Sequence, residues 1–245
     1  MELEYINGIR TTNLVHEMDP LESAINQYEE SAKRQINKYE KLAKDHYGND
    51  KTLMEKDRDA ELKSSLAHLE LERKNLETIS NVQAQLAAYR EKGMSATKGS
   101  NKNRLSAIAK MRAEEHHPTD TLEKYMLAEG MVKPSSKHTA HHIVPGSGKL
   151  KKVTSEARMH LHRFGIRIND PANGVYLVHI NDNTPHWSMP SSHGHRKYHT
   201  HDYERWVSQR VRAQTRMDFI KTELQVIGRI LQNNSPKNAI PVIGT

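Results

Sequence analysis

At 245 residues the chain has room for one large domain or two smaller ones, and a mean hydropathy of −0.85 with 5% aromatic residues argues against a single large core. The absence of cysteine excludes disulfides and thiolate-bound zinc, leaving His, Asp, Glu and Asn as possible metal ligands. The net charge of +7 is unevenly spread: residues 1–130 hold 20 basic and 23 acidic side chains, residues 131–245 hold 17 and 7, and 11 of the 16 histidines fall in the second part. A basic, His-rich half favours a polyanionic partner and metal or acid–base chemistry.

The first predicted element is a helix. From Leu21 to Tyr47, Leu21, Ile25, Tyr28, Ala32, Ile36, Tyr39, Ala43 and His46 recur at steps of three and four. Asp19 and Pro20 suit its N-cap and first turn, and Gly48-Asn49-Asp50 would end it. A second helix is predicted from about Leu53 to Arg90, with Leu62, Leu66, Leu69, Leu76, Ile79, Val82 and Leu86 as its stripe. Each would be roughly 40–55 Å long, and the short turn suggests an antiparallel helical hairpin. Residues 93–103 read as a linker, followed by short helices near Arg104–Glu115 and Thr121–Ala128. The breaker-rich stretch Gly130–Lys137 places the domain boundary between a helical region 1–130 and a second domain 131–245.

Beyond it the pattern becomes mixed. His138–Val144 reads as a strand, Ser155–Phe164 as a helix closed by Gly165, and Gly174–Val178 as a second strand. Asn181–Ser192 reads as a loop, and His195 to about Ile230 as one long helix. The fold class is therefore mainly α with a small α+β part. No run of about 18 apolar residues suggests a membrane span. The N-terminus lacks a basic start followed by an apolar stretch, so the expectation is synthesis in the cytoplasm without a signal peptide.

The stretch that points to chemistry is Thr139-Ala140-His141-His142-Ile143-Val144-Pro145. Neighbouring strand residues point to opposite faces, yet at a strand end both can border one cleft. One imidazole can bind a cation while the other accepts a proton from water, a pairing that suits phosphodiester hydrolysis. Further on, His193, His195, His199 and His201 crowd one segment, and the i, i+4 pair His195 and His199 would share a helical face and grip one ion.

The ordered series AHHIVP at 140–145, Phe164-Gly165-Ile166 with Asn169-Asp170, Asn173-Gly174-Val175-Tyr176-Leu177 and the His-rich segment with Tyr198 resembles the AHH family of the HNH/endonuclease VII superfamily. The likeness covers roughly residues 137–212. It implies a ββα-metal fold holding one divalent ion, with His141 a metal ligand, His142 the general base and Asn173 the residue that orients the base. His195 and His199 would complete the ligand set. Many relatives carry a further His where this chain has Ser191, which leaves His193, and more remotely His201, as alternative ligands. Such a donor set suits zinc, nickel or manganese, while magnesium can support turnover.

Lys149, Lys151, Arg163, Arg196 and Lys197 would contact phosphates, with Lys152, Arg158, Arg167, Arg205, Arg210 and Arg212 as a wider basic surround. His160 and His162 read as solvent-facing, and His116-His117 as bystanders at a helix end. The resemblance also implies a largely non-specific nuclease, DNase before RNase. It further implies an antibacterial toxin effector, for example of a type VI secretion system, delivered into target-cell cytoplasm and neutralised by an immunity protein. The N-terminal helices would then serve loading, delivery, or binding to a secretion component or chaperone. The alternative is a coiled-coil adaptor whose C-terminal domain binds nucleic acid or metal without cleaving.

Overall fold

A computed structural model describes residues 51–235 together with positions 5, 6, 9, 10, 25, 26, 30, 33, 34 and 37. The chain divides into two compact units, Met1–Gln83 and Ala84–Thr245. In the first, β1 (Tyr5–Ile6) pairs with β2 (Ile9–Arg10) antiparallel, a short hairpin that the sequence reading does not anticipate. The described positions between 25 and 37 are helical, while most of the helix expected at 21–47 lies outside the described residues. The second expected helix is α1 (Lys51–Met94), which contributes residues to both units; Leu86 and Tyr89 near its end are buried, whereas Leu66 is exposed.

The second unit begins well before the composition break at 130. After α1 come α2 (Asn101–Arg112) and α3 (Asp120–Ala128), then β3 (His138–His142), α4 (Lys151–Arg163) and β4 (Gly174–Val178). The chain ends in α5 (His201–Arg212) and α6 (Met217–Asn233). The described residues are thus mostly helical with a small antiparallel sheet, β3 on β4, whose register pairs Ala140 with Tyr176, His141 with Val175 and His142 with Gly174. No helix among them is long and apolar enough to cross a membrane.

That sheet is covered on both faces, and strand alternation decides what each face meets. Val175 and Leu177 join the main core with Leu161, Tyr203, Val207, Ile220, Leu224 and Ile227 from α4, α5 and α6. Ala140 and Tyr176 face the other way, onto Leu122 and Met126 of α3. Gly174 permits this second contact, because a Cβ there would lie 2.6 Å from Met126 Sδ and 2.9 Å from Leu122 Cδ1. His141 shares its face with Val175 and so points towards the main core; His142 points towards the α3 side.

Three elements differ from the sequence reading. The strand expected to reach Val144 ends at His142, because Asn173 takes over its ladder: its carbonyl accepts from Ile143 N at 2.8 Å and its Oδ1 from Val144 N at 2.8 Å. Helix α4 starts at Lys151 rather than Ser155. The buried Glu204 carboxylate accepts from Lys149 N and Leu150 N, both at 2.7 Å, and from Thr154 Oγ1 at 3.0 Å, capping the helix from 50 residues away. The long helix expected from His195 is instead a 3₁₀ turn (His195–Tyr198), α5 and α6. Thr200 caps α5 by accepting from Tyr203 N. The break between α5 and α6 has a packing cause. Val211 and Ile220 are nine residues apart, which on a straight helix would set their stripes roughly 180° apart; the break lets both enter one core.

His162 and His160 also correct the expectation of solvent-facing rings. His160 is half-buried and bonds the Gln214 carbonyl through Nε2 at 2.8 Å. His162 is fully buried, and neither ring nitrogen has a hydrogen-bond partner among the described residues. Burial, with Arg158, Arg167 and Arg112 nearby, pushes its pKa down to about 3. The unfolded value is about 6.5, so above that pH neither state binds the proton and His162 places no protonation penalty on folding. Stability is lost as pH falls from about 6.5 towards about 3, because only the unfolded chain takes up the proton readily. His162→Leu should therefore flatten the acid dependence of stability by up to one proton. It should also raise stability at neutral pH by about 1–3 kcal/mol, since two unpaired nitrogens leave the core. Urea titrations of both proteins between pH 4 and 7 measure this, and an unchanged pH slope would contradict it.

Candidate active site

Strand β3 delivers two imidazoles to opposite faces at its end. On the main-core side, His141 is buried, its ring centred 4.9 Å from that of His195 and 5.5 Å from that of His199. Tyr203 OH stands 3.1 Å from His141 Nε2 and donates to the Ile143 carbonyl at 2.9 Å, so α5 fixes the ring to the strand. His195 Nε2 and His199 Nε2 are 2.7 Å apart. They converge from the 3₁₀ turn and its C-cap, and not along an α-helical face as the i, i+4 spacing suggested.

These three histidines each offer a ligand atom, and the atoms lie within 4.8 Å of one another; they form the metal-capable cluster found among the described residues. Their state suits a cation. Burial, reinforced by the neighbouring imidazoles, lowers His141 well below its ordinary pKa and His195 to about 4, and burial also lowers His199. All three are thus neutral at pH 7, with lone pairs to offer. His195 Nδ1 is buried without a hydrogen-bond partner. The residues therefore fit a divalent metal, though nothing in them singles out one element.

The other candidates lie elsewhere. His193 bonds Asn234 through Nε2 at 3.3 Å, its backbone N–H donates to Tyr198 OH, and it does not join the cluster. His201 is exposed on the first turn of α5. His179, given no role by the sequence, is exposed and has its ring 6.0 Å from that of His195.

His142 points the other way, 5% exposed, and donates from Nε2 to Asn169 Oδ1 at 2.9 Å. Burial outweighs that bond and, with His117, His116 and Arg158 nearby, holds its pKa at about 4. It is therefore a neutral imidazole able to accept a proton at pH 7. Asn173 has no hydrogen bond to the His142 ring among the described residues; its Nδ2 donates to Val144 O at 3.1 Å and Ile168 O at 3.0 Å, and it braces the loop after β3. Asn169, four residues earlier, is the partner of His142.

His116 and His117 are the other residues the sequence reading passed over. Their rings meet His142 edge-on, with centroids 6.2 Å and 5.9 Å away. The adjacent pair was visible in the sequence, but no spacing tied it to a strand 25 residues on. Among the basic candidates, Lys149, Lys151, Arg196 and Lys197 are exposed. Lys149 and Arg196 are near enough to depress His199 and His195, respectively. Arg163 is exposed at the far end of α4, about 18 Å along the helix from Lys151. Arg158 is structural, donating to the Gly146, Met111 and Glu114 carbonyls. Arg167, Arg205, Arg210 and Arg212 are paired with Glu114, Asp202, Glu223 and Glu156.

This arrangement, a neutral buried imidazole next to His141 of a three-histidine cluster, sits within residues 122–233, which match a family model of the HNH/ENDO VII superfamily of nucleases. The family is AHH, described as a nuclease family with conserved AHH, and the chain carries Ala140-His141-His142 within the matched residues. No curated protein and no solved structure matches the chain.

Proposed function

We propose that the chain is a metal-dependent, largely sequence-non-specific nuclease, acting on DNA before RNA, and that it serves as an antibacterial toxin effector held in check by an immunity protein. The observation that carries the nuclease reading is the neutral, buried His142 beside the His141–His195–His199 cluster. In this reading β3, β4 and the segment from His195 through α5 make up a ββα-metal unit.

His141, His195 and His199 would hold one divalent ion, which would supply charge neutralisation at the scissile phosphate and the leaving oxygen. His142 accepts the proton of the attacking water. Asn169 keeps Nε2 protonated and so leaves Nδ1 as the basic nitrogen. Lys149, Lys151, Arg196 and Lys197 hold the flanking phosphates; such contacts read no bases, which supports low sequence preference. The toxin role draws on the likeness of the motif series to toxin nucleases. Of the region 1–130, residues 1–83 form a unit of their own and are then the segment available for delivery or partner binding.

The test is incubation of purified protein with supercoiled plasmid and with RNA, in magnesium, manganese, zinc or nickel, and in EDTA. Plasmid nicking and degradation with metal, abolished by EDTA, is the expected result. Failure of the metal-loaded protein to cut either polymer would overturn the reading in favour of a binding module. Expression inside bacteria tests the toxin role separately: growth should arrest with the wild type and continue with His142→Ala.

A further inference from the structure

We propose that Glu114, with Tyr89 behind it, is a positioning residue for His142, reaching the base through Asn169; this rests on the nuclease reading above. Both residues lie before residue 122, outside the segment that matches the family.

The contacts form a continuous, largely buried chain. Asn169 Nδ2 donates to Glu114 Oε1 at 3.0 Å and to the Glu115 carbonyl at 2.9 Å. Both amide hydrogens are thereby engaged by acceptors, so the amide has one sensible orientation, with Oδ1 facing His142. Turning it over would set Oδ1 against a carboxylate and a carbonyl. Since Oδ1 can only accept, His142 must carry its proton on Nε2, and its lone pair falls on Nδ1.

Glu114 is itself held at both oxygens. Tyr89 OH donates to Oε1, and Arg167 Nε donates to Oε2 at 2.9 Å. Tyr89 OH also accepts from Asn169 N at 3.0 Å, and the Arg167 guanidinium lies 3.9 Å from the centre of the Tyr89 ring. The side chains of Glu114 and Arg167 are only 12% and 17% exposed. The carboxylate is therefore a fixed acceptor whose effect at the base is to select one tautomer. A carboxylate with a purely structural role would hold residues 111–118 in place and leave the tautomer of His142 indifferent to its loss.

The experiment uses the full chain, with the imidazole nitrogens labelled and read by long-range ¹H–¹⁵N NMR, beside steady-state cleavage and zinc titration. Wild type should show His142 as the Nε2–H tautomer. Glu114→Ala should give a mixture of tautomers and lower kcat by about 10–100-fold, with KM and zinc affinity unchanged. Glu114→Gln, which can still offer an acceptor to Asn169, should recover most of that loss. If Glu114→Ala does not fold, Tyr89→Phe loosens the same carboxylate by one hydroxyl and should shift the tautomer in the same direction. An unmoved tautomer and unmoved kcat in a folded variant, while wild type cuts, would overturn the inference and leave the nuclease reading standing. A tautomer shift in a protein that cuts nothing would uphold the positioning and sink the nuclease reading.

Discussion

His142→Ala should lower the cleavage rate by about 10²–10⁴-fold, the usual contribution of a general base, while the protein stays folded and still binds metal. The separation follows from strand geometry. His142 leaves β3 on the α3 side, and its side-chain hydrogen bond among the described residues goes to Asn169, whereas His141, His195 and His199 meet on the other face. Removing the base therefore should not disturb the cluster. The measurement is plasmid cleavage at saturating metal, with zinc or nickel affinity by calorimetry as the control. A variant that binds metal like wild type and cuts like wild type would take the base role away from His142.

Asn173→Ala should act through stability instead. Its side chain makes three buried bonds, accepting from Val144 N and donating to Val144 O and Ile168 O. Alanine leaves a buried N–H and two carbonyls with less than their complement of partners, at a cost of roughly 2–4 kcal/mol. Chemical denaturation should show that loss, and kcat of whatever remains folded should fall because the loop after His142 is no longer pinned. If Asn173→Ala proves as stable as wild type and loses only rate, then Asn173 acts on the chemistry directly, contrary to its contacts.

The paired variants mark what was legible in the sequence. That His141, His195 and His199 come together was legible in part: the motif series pointed to His141, and the i, i+4 spacing singled out His195 and His199, although they meet across a 3₁₀ turn and not along an α-helical face. Strand β4 matched its expected bounds because Gly174 and the apolar run after it are local signals. What could not be read was set by contacts distant along the chain. The start of α4 depends on Glu204, some 50 residues away. The orientation of His142 depends on Asn169, whose amide is aligned from residue 114. Asn169 and Asn173 both looked like turn residues, and only the folded loop shows that one bonds the ring and the other the backbone. The break at 213–216 carries no glycine or proline; its signal was the phase jump between Val211 and Ile220, which a count of periodic positions passes over.

The period of a strand is two residues, so one step from His141 to His142 crosses from one set of supporting side chains to another. Tyr203 holds the first ring; Asn169 and Glu114 hold the second. Among the described residues these sets share no hydrogen-bond partner, so damage to one should not be amplified by damage to the other. A Tyr203→Phe and Glu114→Ala double variant should show the product of the two single rate losses, with a coupling energy near zero. Metal choice and base strength would then be separable traits, each open to change by substitutions on its own side of the sheet.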